Sequence, residues 1–542
     1  QEVSEGYRDI KDLSATAKFE LVGESGTFIL AWTTTPWTLP ANVALAVGEE
    51  IEYVKIKKDD EYFILAKARL EIIKGDYTVI EELTADKLVG RKYHPLFSYY
   101  LNETTPNREN LYTVVSANFV TTSDGTGVVH IAPAFGEEDM LLGKEKNLPF
   151  IQNVTMSGHF TAEVVDFPGA NVKPAEDTQQ TDVAVIKYLA GKNLLFTKEK
   201  YEHSYPHCWR CDTPLINYAT SSWFVKVTSV KEKALELAQE INWSPEHIKE
   251  GRFGHWLAGA RDWSISRQRF WASCMPIWKC SCGELKVYGA IADLEKDSGE
   301  KITDLHKHKI DHVAVTCPKC SGIMKRIPDV LDCWFESGSM PFAQEHYPFE
   351  NQEKFAKKFP AQFIAEGIDQ TRAWFYYLHV ISTAINNKVA FKNVIVNGTV
   401  LAEDGKKMSK RLKNYPDPEI VMEKYGADAM RYYLLSSPVV SAENLNFAEA
   451  GVKEALQKNI MLLQNILNFY QLYDEGKTEL MMNSKNVLDQ WLIAKLCALI
   501  SEVTNAMEKY DLPRASRPIQ NFIDEFSTWW LRRSRDRFKS EN

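Results

Sequence analysis

The chain has 542 residues, 44% of them hydrophobic and 25% charged, with 64 Lys and Arg against 73 Asp and Glu for a net charge of −9. That length suits roughly three or four domains, each with its own core, and the acidic balance excludes indiscriminate polyanion binding while leaving room for a local basic patch. No apolar run reaches the roughly 18–20 residues that span a bilayer, so no membrane partner is expected. The start, Gln1-Glu2-Val3-Ser4-Glu5-Gly6, has neither the basic nor the apolar segment of a signal peptide, and without a Met it reads as a fragment or a processed chain. Nine cysteines, two pairs of them spaced Cys-x-x-Cys and one Cys-x-Cys, read as metal ligands more than as disulfides. A cytoplasmic location is expected.

From about 1 to 200 the texture is β-rich, with short runs such as Thr27–Trp32 and Tyr62–Leu65 between turn residues. Residues 32–40 place Trp32 ahead of three adjacent threonines, Thr33, Thr34 and Thr35, and a proline. The threonines offer hydroxyls and backbone amides, although an edge strand is also rich in Thr and Trp. Residues 125–139 combine glycines that allow close backbone approach with His130 and Asp139, nine positions apart across a Pro-containing loop.

Residues 206–400 alternate helical and strand patterns, as an α/β domain does. Cys280-x-Cys282 and Cys317-x-x-Cys320 bracket a loop of 34 residues, a knuckle spacing suited to tetrahedral structural zinc. Cys208-x-x-Cys211 is a half-site that His203 and His207 could complete. Gln362–Ala365 reads as a strand, with Glu366–Trp374 as the turn and helix after it. If helical, Glu366, Asp369, Gln370 and Trp374 share one face where a parallel sheet binds ligands, although acidic residues at an ordinary helix start read the same way. Residues 394–400 read as a strand. Beyond it, residues 404–411 put Lys406, Lys407, Lys410 and Arg411 on a loop, where cations can gather on a developing pyrophosphate. After about 420 the pattern is helical: Leu456, Ile460, Leu463, Ile466, Leu467 and Tyr470 recur at helical spacing, as do 488–507 and 519–538. Arg532, Arg533, Arg535 and Arg537 could touch phosphates or line a solvated face.

Lys407-Met408-Ser409-Lys410 resembles the KMSKS loop of class I aminoacyl-tRNA synthetases, which implies that Lys407 and Lys410 act on ATP, with Mg2+ as its companion. The family's second ATP motif, HIGH, does not occur in these residues. Residues 32–40 and 125–139 together resemble the editing (CP1) domain of isoleucyl- and valyl-tRNA synthetases. That resemblance implies that Trp32, Thr33, Thr34, Thr35 and His130 surround the end of a mischarged tRNA, with Asp139 pairing the amino group of the wrong amino acid. His130, where valyl enzymes usually carry Lys, favours the isoleucyl branch. Residues 261–271, 329–341 and 362–374 resemble isoleucyl-tRNA synthetases, and 333–341 looks like the eukaryotic-type branch. By that likeness Glu366, Asp369 and Gln370 hold the aminoacyl-adenylate, and Trp334 and Trp374 wall the isoleucine pocket. Ala272 and Ala373 stand where the family usually has Gly, and Cys274 where it often has Pro. Relatives carry a further Cys-x-x-Cys upstream, which implies that the partner of Cys208 and Cys211 lies before residue 1.

The expected fold is therefore multidomain α/β: a β-rich editing domain at 1–205, a partial Rossmann-type catalytic domain at 206–400 with a zinc insert at 278–325, a KMSKS and stem-contact region at 401–450, and an incomplete anticodon-binding helical domain at 451–542. The expected activity is ligation of isoleucine to tRNA-Ile with ATP, plus hydrolysis of valyl-tRNA-Ile, valine being the misactivated substrate. By itself the chain is expected not to activate isoleucine, and a HIGH-bearing N-terminal segment is an expected partner. The rival readings are a stand-alone trans-editing hydrolase, a non-catalytic tRNA-binding remnant, and a valyl enzyme.

Overall fold

The computed structural model describes residues 6–101, 105–208, 211–409, 413–474, 476 and 482–539, and the chain divides into two compact units, Gln1–Ser221 and Ser222–Asn542. The first unit is built on strands β1 (Tyr7–Glu20), β2 (Thr27–Thr33), β3 (Ala44–Val47), β4 (Tyr53–Lys58), β5 (Glu61–Ala66), β6 (Thr78–Leu83), β7 (Thr113–Ser116), β8 (Val128–Ile131) and β9 (Leu195–Pro206), with helices α1 (Glu137–Glu145) and α2 (Gln180–Gly191). They form one sheet in the order β6-β4-β5-β2-β8-β3-β7, with β1 bridging β2 and β9.

Burial explains why β1 changes character along its length. Its first half is mostly exposed and pairs only with β9, whereas from Ala15 onward it pairs with β2 as well and is buried on both faces. The alternation of a half-exposed strand accordingly gives way to a continuous buried run there. Ala17, Phe19, Ile29, Leu45, Tyr53 and Ile64 belong to one core beneath the sheet. Tyr53 fixes that core from within: its hydroxyl donates to the Gly127 carbonyl at 2.8 Å and accepts the Gly48 N–H at 2.9 Å.

In the second unit, Asn242–Ser244, Phe391–Asn397 and Ala361–Gly367 form a three-stranded parallel sheet with Phe391–Asn397 in the middle. The helix Trp374–Asn386 makes the crossover between the last two and buries Phe375, Leu378, Val380 and Ile381. Ala361–Gly367 is an edge strand among the described residues, with Phe363 53% exposed. The expected helix face for residues 366–374 is not formed. Glu366 and Gly367 are still strand, registered with Val396 and Asn397; a tight turn follows at Ile368–Arg372, and the helix starts only at Trp374. Ladder pairing holds the chain extended two residues further than the acidic helix-start pattern suggests.

The strand expected at 394–400 begins earlier and breaks at Gly398. Val400–Leu401 is a separate short strand paired with Leu445–Asn446. A Cβ at Gly398 would lie 1.8 Å from the Glu443 carbonyl oxygen, so only glycine lets these two backbones approach. The cysteine-rich insert is a four-stranded antiparallel sheet, Leu285–Val287, Ile277–Cys280, Ile323–Arg326 and Ala314–Thr316 in that order, over a small core around Trp278, Leu294, Val315 and Met324. The C-terminal part is helical, with long helices at Val487–Glu508 and Leu512–Asp524. Among the described residues no helix is long and apolar enough to cross a membrane.

Candidate functional site

In the first unit, β2 delivers the threonine run to the strand that carries His130. Trp32 lies beside Val129 in the parallel β2–β8 pair, and His130 lies opposite Leu45 in the antiparallel β3–β8 pair. Gly125, at φ +66°, lets Trp32 pack against the loop before β8: a Cβ there would stand 2.8 Å from the indole. The other side of Trp32 meets Tyr201 edge-on at 5.0 Å.

After Thr35 the chain enters a tight helical turn, Pro36–Ala41, and Pro36 supplies the fixed φ that suits its first position. The turn presents Thr38, which links the threonines to the histidine. Thr38 Oγ1 lies 2.8 Å from the Thr35 carbonyl and 2.9 Å from His130 Nε2. A hydroxyl has one proton; given to the Thr35 carbonyl, it leaves the oxygen to accept from Nε2–H. Thr33 and Thr35 hydroxyls are 3.4 Å apart, and the Thr35 N–H donates to Thr33 Oγ1 at 3.1 Å. Thr34 is half-buried beside them.

Asp139, in the first turn of α1, reaches back to accept the Ala132 N–H at 2.8 Å, two residues beyond His130. Trp32, Thr33, Thr35, His130 and Asp139 thus converge on one end of β2 and β8. Burial pushes the Asp139 carboxyl up to about 6, against the Ala132 N–H that favours its anion. Burial also pulls His130 down to about 4, so the imidazole is neutral at physiological pH. Its Nδ1 is buried without a hydrogen-bond partner among the described residues. Sequence reasoning missed Thr38. The signal was present: three residues from Thr35 is one turn of a tight helix, and Pro36 announces that turn.

The four cysteines Cys280, Cys282, Cys317 and Cys320 form the group capable of holding a metal among the described residues, their sulfurs all within 4.8 Å of one another. Cys280 and Cys320 sulfurs are 3.4 Å apart, and Cys282 and Cys317 sulfurs 3.7 Å. Tetrahedral zinc, with Zn–S near 2.3 Å, requires about 3.8 Å between sulfurs, so the donor set fits. The Cys282 backbone N–H and three neighbouring thiols hold Cys280 down to about 6. Cys320, although the Gly322 N–H favours its thiolate, is pushed up to about 12 by the other three thiols. His203 and His207 do not complete the Cys208–Cys211 pair. His203 Nε2 faces Asp12 at 3.6 Å and His207 Nδ1 faces the Tyr205 carbonyl at 2.9 Å, while Cys211 Sγ lies 3.1 Å from the Thr213 hydroxyl.

At the strand ends of the second unit, Gln370 is the connector. Its side-chain oxygen accepts the Trp374 N–H at 3.0 Å and its amide donates to Asp369 Oδ2 at 3.0 Å. Trp374 Nε1 donates to the Ser337 carbonyl at 3.1 Å, tying it to the helix Cys333–Gly338, which also carries Trp334. Trp334 stacks on Tyr377 at 5.7 Å. Glu366 and Asp369 are exposed at the end of the edge strand and in the turn after it. The lysine loop folds as a tight hairpin in which the Ala402 N–H bonds the Lys406 carbonyl and Lys406 pairs with Asp404 at 3.0 Å. Lys407 is exposed and makes no ion pair among the described residues. Met408 packs onto the core around Val421, Ala429 and Phe447. Lys410 and Arg411 lie outside the described residues.

A family profile described as tRNA synthetases class I (I, L, M and V) matches residues 13–446, and one described as the anticodon-binding domain of tRNA ligase matches residues 489–542. The isoleucine–tRNA ligase of Treponema denticola is 45% identical over 99% of this chain and 53% of its own length. That of Chlamydia trachomatis is 46% identical over 99% of this chain and 52% of its own length, and that of Clostridium acetobutylicum 45% identical over 99% and 51%. The chain spans about half the length of the curated relatives it matches. A solved ternary complex of an Agrobacterium radiobacter LeuRS with tRNA and LeuAMS aligns with 98% of this chain and 57% of its own, at TM-score 0.42 and 18% identity. By the profile match over most of its length, the chain belongs to the class I tRNA synthetases of the I, L, M and V group.

Proposed function

We propose that this chain carries the editing machinery and part of the synthetic machinery of an isoleucine–tRNA ligase, a cytoplasmic enzyme joining isoleucine to tRNA-Ile with ATP and Mg2+. The observation that carries the reading is the convergence of Thr33, Thr35, Thr38, His130 and Asp139 at one end of the first unit's sheet, in a chain with 45–46% identity to isoleucine–tRNA ligases. Editing then belongs to the first unit and adenylate chemistry to the parallel sheet of the second, with the helices beyond residue 451 facing the anticodon arm.

The need for editing is physical. One methylene changes binding by only about 1–3 kcal/mol, a range for which isoleucine against valine in this enzyme class is the standing example. A second pocket that hydrolyses valyl-tRNA supplies the remaining discrimination. At neutral pH the Asp139 carboxylate, one oxygen on the Ala132 N–H, offers its other oxygen to the ammonium of the misplaced valine. Threonine hydroxyls and backbone N–H groups orient the ester so that water attacks its carbonyl, and donors near that oxygen stabilise the developing charge. His130 positions rather than abstracts: its Nε2 is committed to Thr38 and its low proton affinity makes it a weak base.

In the second unit, Glu366, Asp369 and Gln370 would hold the adenylate, Trp334 and Trp374 would wall the side-chain pocket, and Lys407 with Lys410 would meet the pyrophosphate. Zinc held by Cys280, Cys282, Cys317 and Cys320 would fill all four positions with sulfur and serve structure alone. The test is deacylation of valyl-tRNA-Ile by the chain: hydrolysis that disappears in Asp139→Ala supports the reading, and equal rates in both proteins defeat it. The second reading, a hydrolase acting in trans with no synthetic role, is favoured by the same convergence of editing residues. It is distinguished by continued absence of ATP–pyrophosphate exchange when a HIGH-bearing segment is supplied.

A further inference from the structure

We infer that Asp182, held by Lys173, is a positioning residue that caps the threonine turn from a distant helix and so leaves Thr35 free to face the substrate. The inference rests on the editing reading above. A tight helical turn has backbone N–H groups at its start with no partner inside the turn, and a Thr just before it ordinarily caps them with its own hydroxyl. Thr35 occupies that place before Pro36–Ala41 yet makes no such cap. Its hydroxyl lies instead between Thr33 and Thr38, at 3.4 and 3.5 Å.

The Trp37 N–H, the donor left over, goes to Asp182 Oδ1 at 3.0 Å, 145 residues away on α2. Asp182 is fully buried and Lys173 is only 3% exposed at its side chain. Lys173 Nζ bonds the other Asp182 oxygen at 2.9 Å and Asp12 on β1 at 3.2 Å, and lies 5.3 Å from the Tyr205 ring centroid on β9. Gln179 and His203 complete the surroundings of Asp12, at 3.2 and 3.6 Å. A buried carboxylate is retained in such a place only with a paired cation and satisfied oxygens, and both conditions hold here. The next residue after the capped N–H is Thr38, the partner of His130. A small displacement of the turn therefore moves Thr35 and Thr38 together.

The experiment compares two neutral replacements in the full chain, both of which leave Lys173 paired with Asp12. Asp182→Asn keeps an oxygen for the Trp37 N–H, and Asp182→Leu does not. In Asp182→Leu the Trp37 amide is expected to lose protection from hydrogen exchange and the His130 imidazole signals to shift. Its kcat for valyl-tRNA deacylation should drop about 100-fold, the usual cost of ångström-scale misplacement, with KM unchanged. Asp182→Asn should restore all three readouts toward the parent. If Asp182→Leu does not fold, Asp182→Thr, close to Asp in volume but too short to cap Trp37, gives the same contrast. A folded Leu or Thr variant with parental Trp37 protection and His130 signals overturns the inference. Those two signals need no turnover, so a parent chain that fails to hydrolyse valyl-tRNA counts against the editing reading alone.

Discussion

Asp139 and His130 sit within one site but are shifted in opposite senses, and the pH profile separates them. Asp139, raised to about 6, is ionised above that value and on the proposed editing role would hold an ammonium; below it the carboxyl takes a proton and that attraction would be lost. His130, lowered to about 4, does not change charge between pH 5 and 8. Deacylation of valyl-tRNA is thus expected to rise through an ionisation near pH 6 and to fall again as the substrate's own ammonium loses its proton, and in Asp139→Asn the step near 6 should vanish from the rate profile. Thr38→Val tests the other contact. A valine cannot accept from His130 Nε2–H, and an unsatisfied buried N–H costs about 1–3 kcal/mol, readable as a lower midpoint in urea.

Two elements carry their own predictions. In the cysteine insert, Cys280 ends the second strand of the sheet and Cys317 follows the fourth, so a metal would staple those two strands across the one between them. Cys317→Ser is expected to lower bound zinc, measured by elemental analysis, and to speed hydrogen exchange in 277–326 while leaving the first unit unchanged. In the helical part, Asp489 accepts a fork from Arg537, at 2.7 and 2.6 Å, and the Trp530 indole N–H at 3.1 Å. The Arg537 guanidinium draws its carboxyl down to about 2. A depressed carboxyl stabilises the fold above the unfolded value near 4, and that stability is lost as pH falls toward 2. Because Arg537 is 43% exposed, solvent discounts the pair, and Asp489→Asn is expected to cost about 1 kcal/mol at pH 7, by thermal melting.

The insert and the helical stretches were legible in the sequence, because cysteine spacing and 3.6-residue periodicity are local signals. The threonine run and His130 were drawn together by resemblance rather than by any local pattern, and the contact through Thr38 was missed. What local signals miss is pairing at a distance. Glu366 looked like a helix start because nothing nearby reveals that Val396 holds it in a ladder. Asp182 and Lys173 carry no local signal at all, since burial among Asp12, Trp37 and Tyr205 is a property of the assembled unit.

At the scale of the whole chain, Lys407 and the residues proposed to hold the adenylate belong to the second unit while the HIGH tetrapeptide occurs nowhere in the 542 residues. ATP–pyrophosphate exchange with isoleucine is expected to be undetectable for a polypeptide of these 542 residues and to appear when a HIGH-bearing polypeptide from a relative is added. Persistent silence would count against a synthetic role. The strand Ala361–Gly367 has a further, practical effect. Its outer side pairs with no strand among the described residues, the Phe363 ring beside it is half exposed with Tyr510 at 5.6 Å, and open strand edges recruit one another. Concentrated preparations should creep toward larger particles in light scattering, and placing a lysine at position 363 should slow that growth.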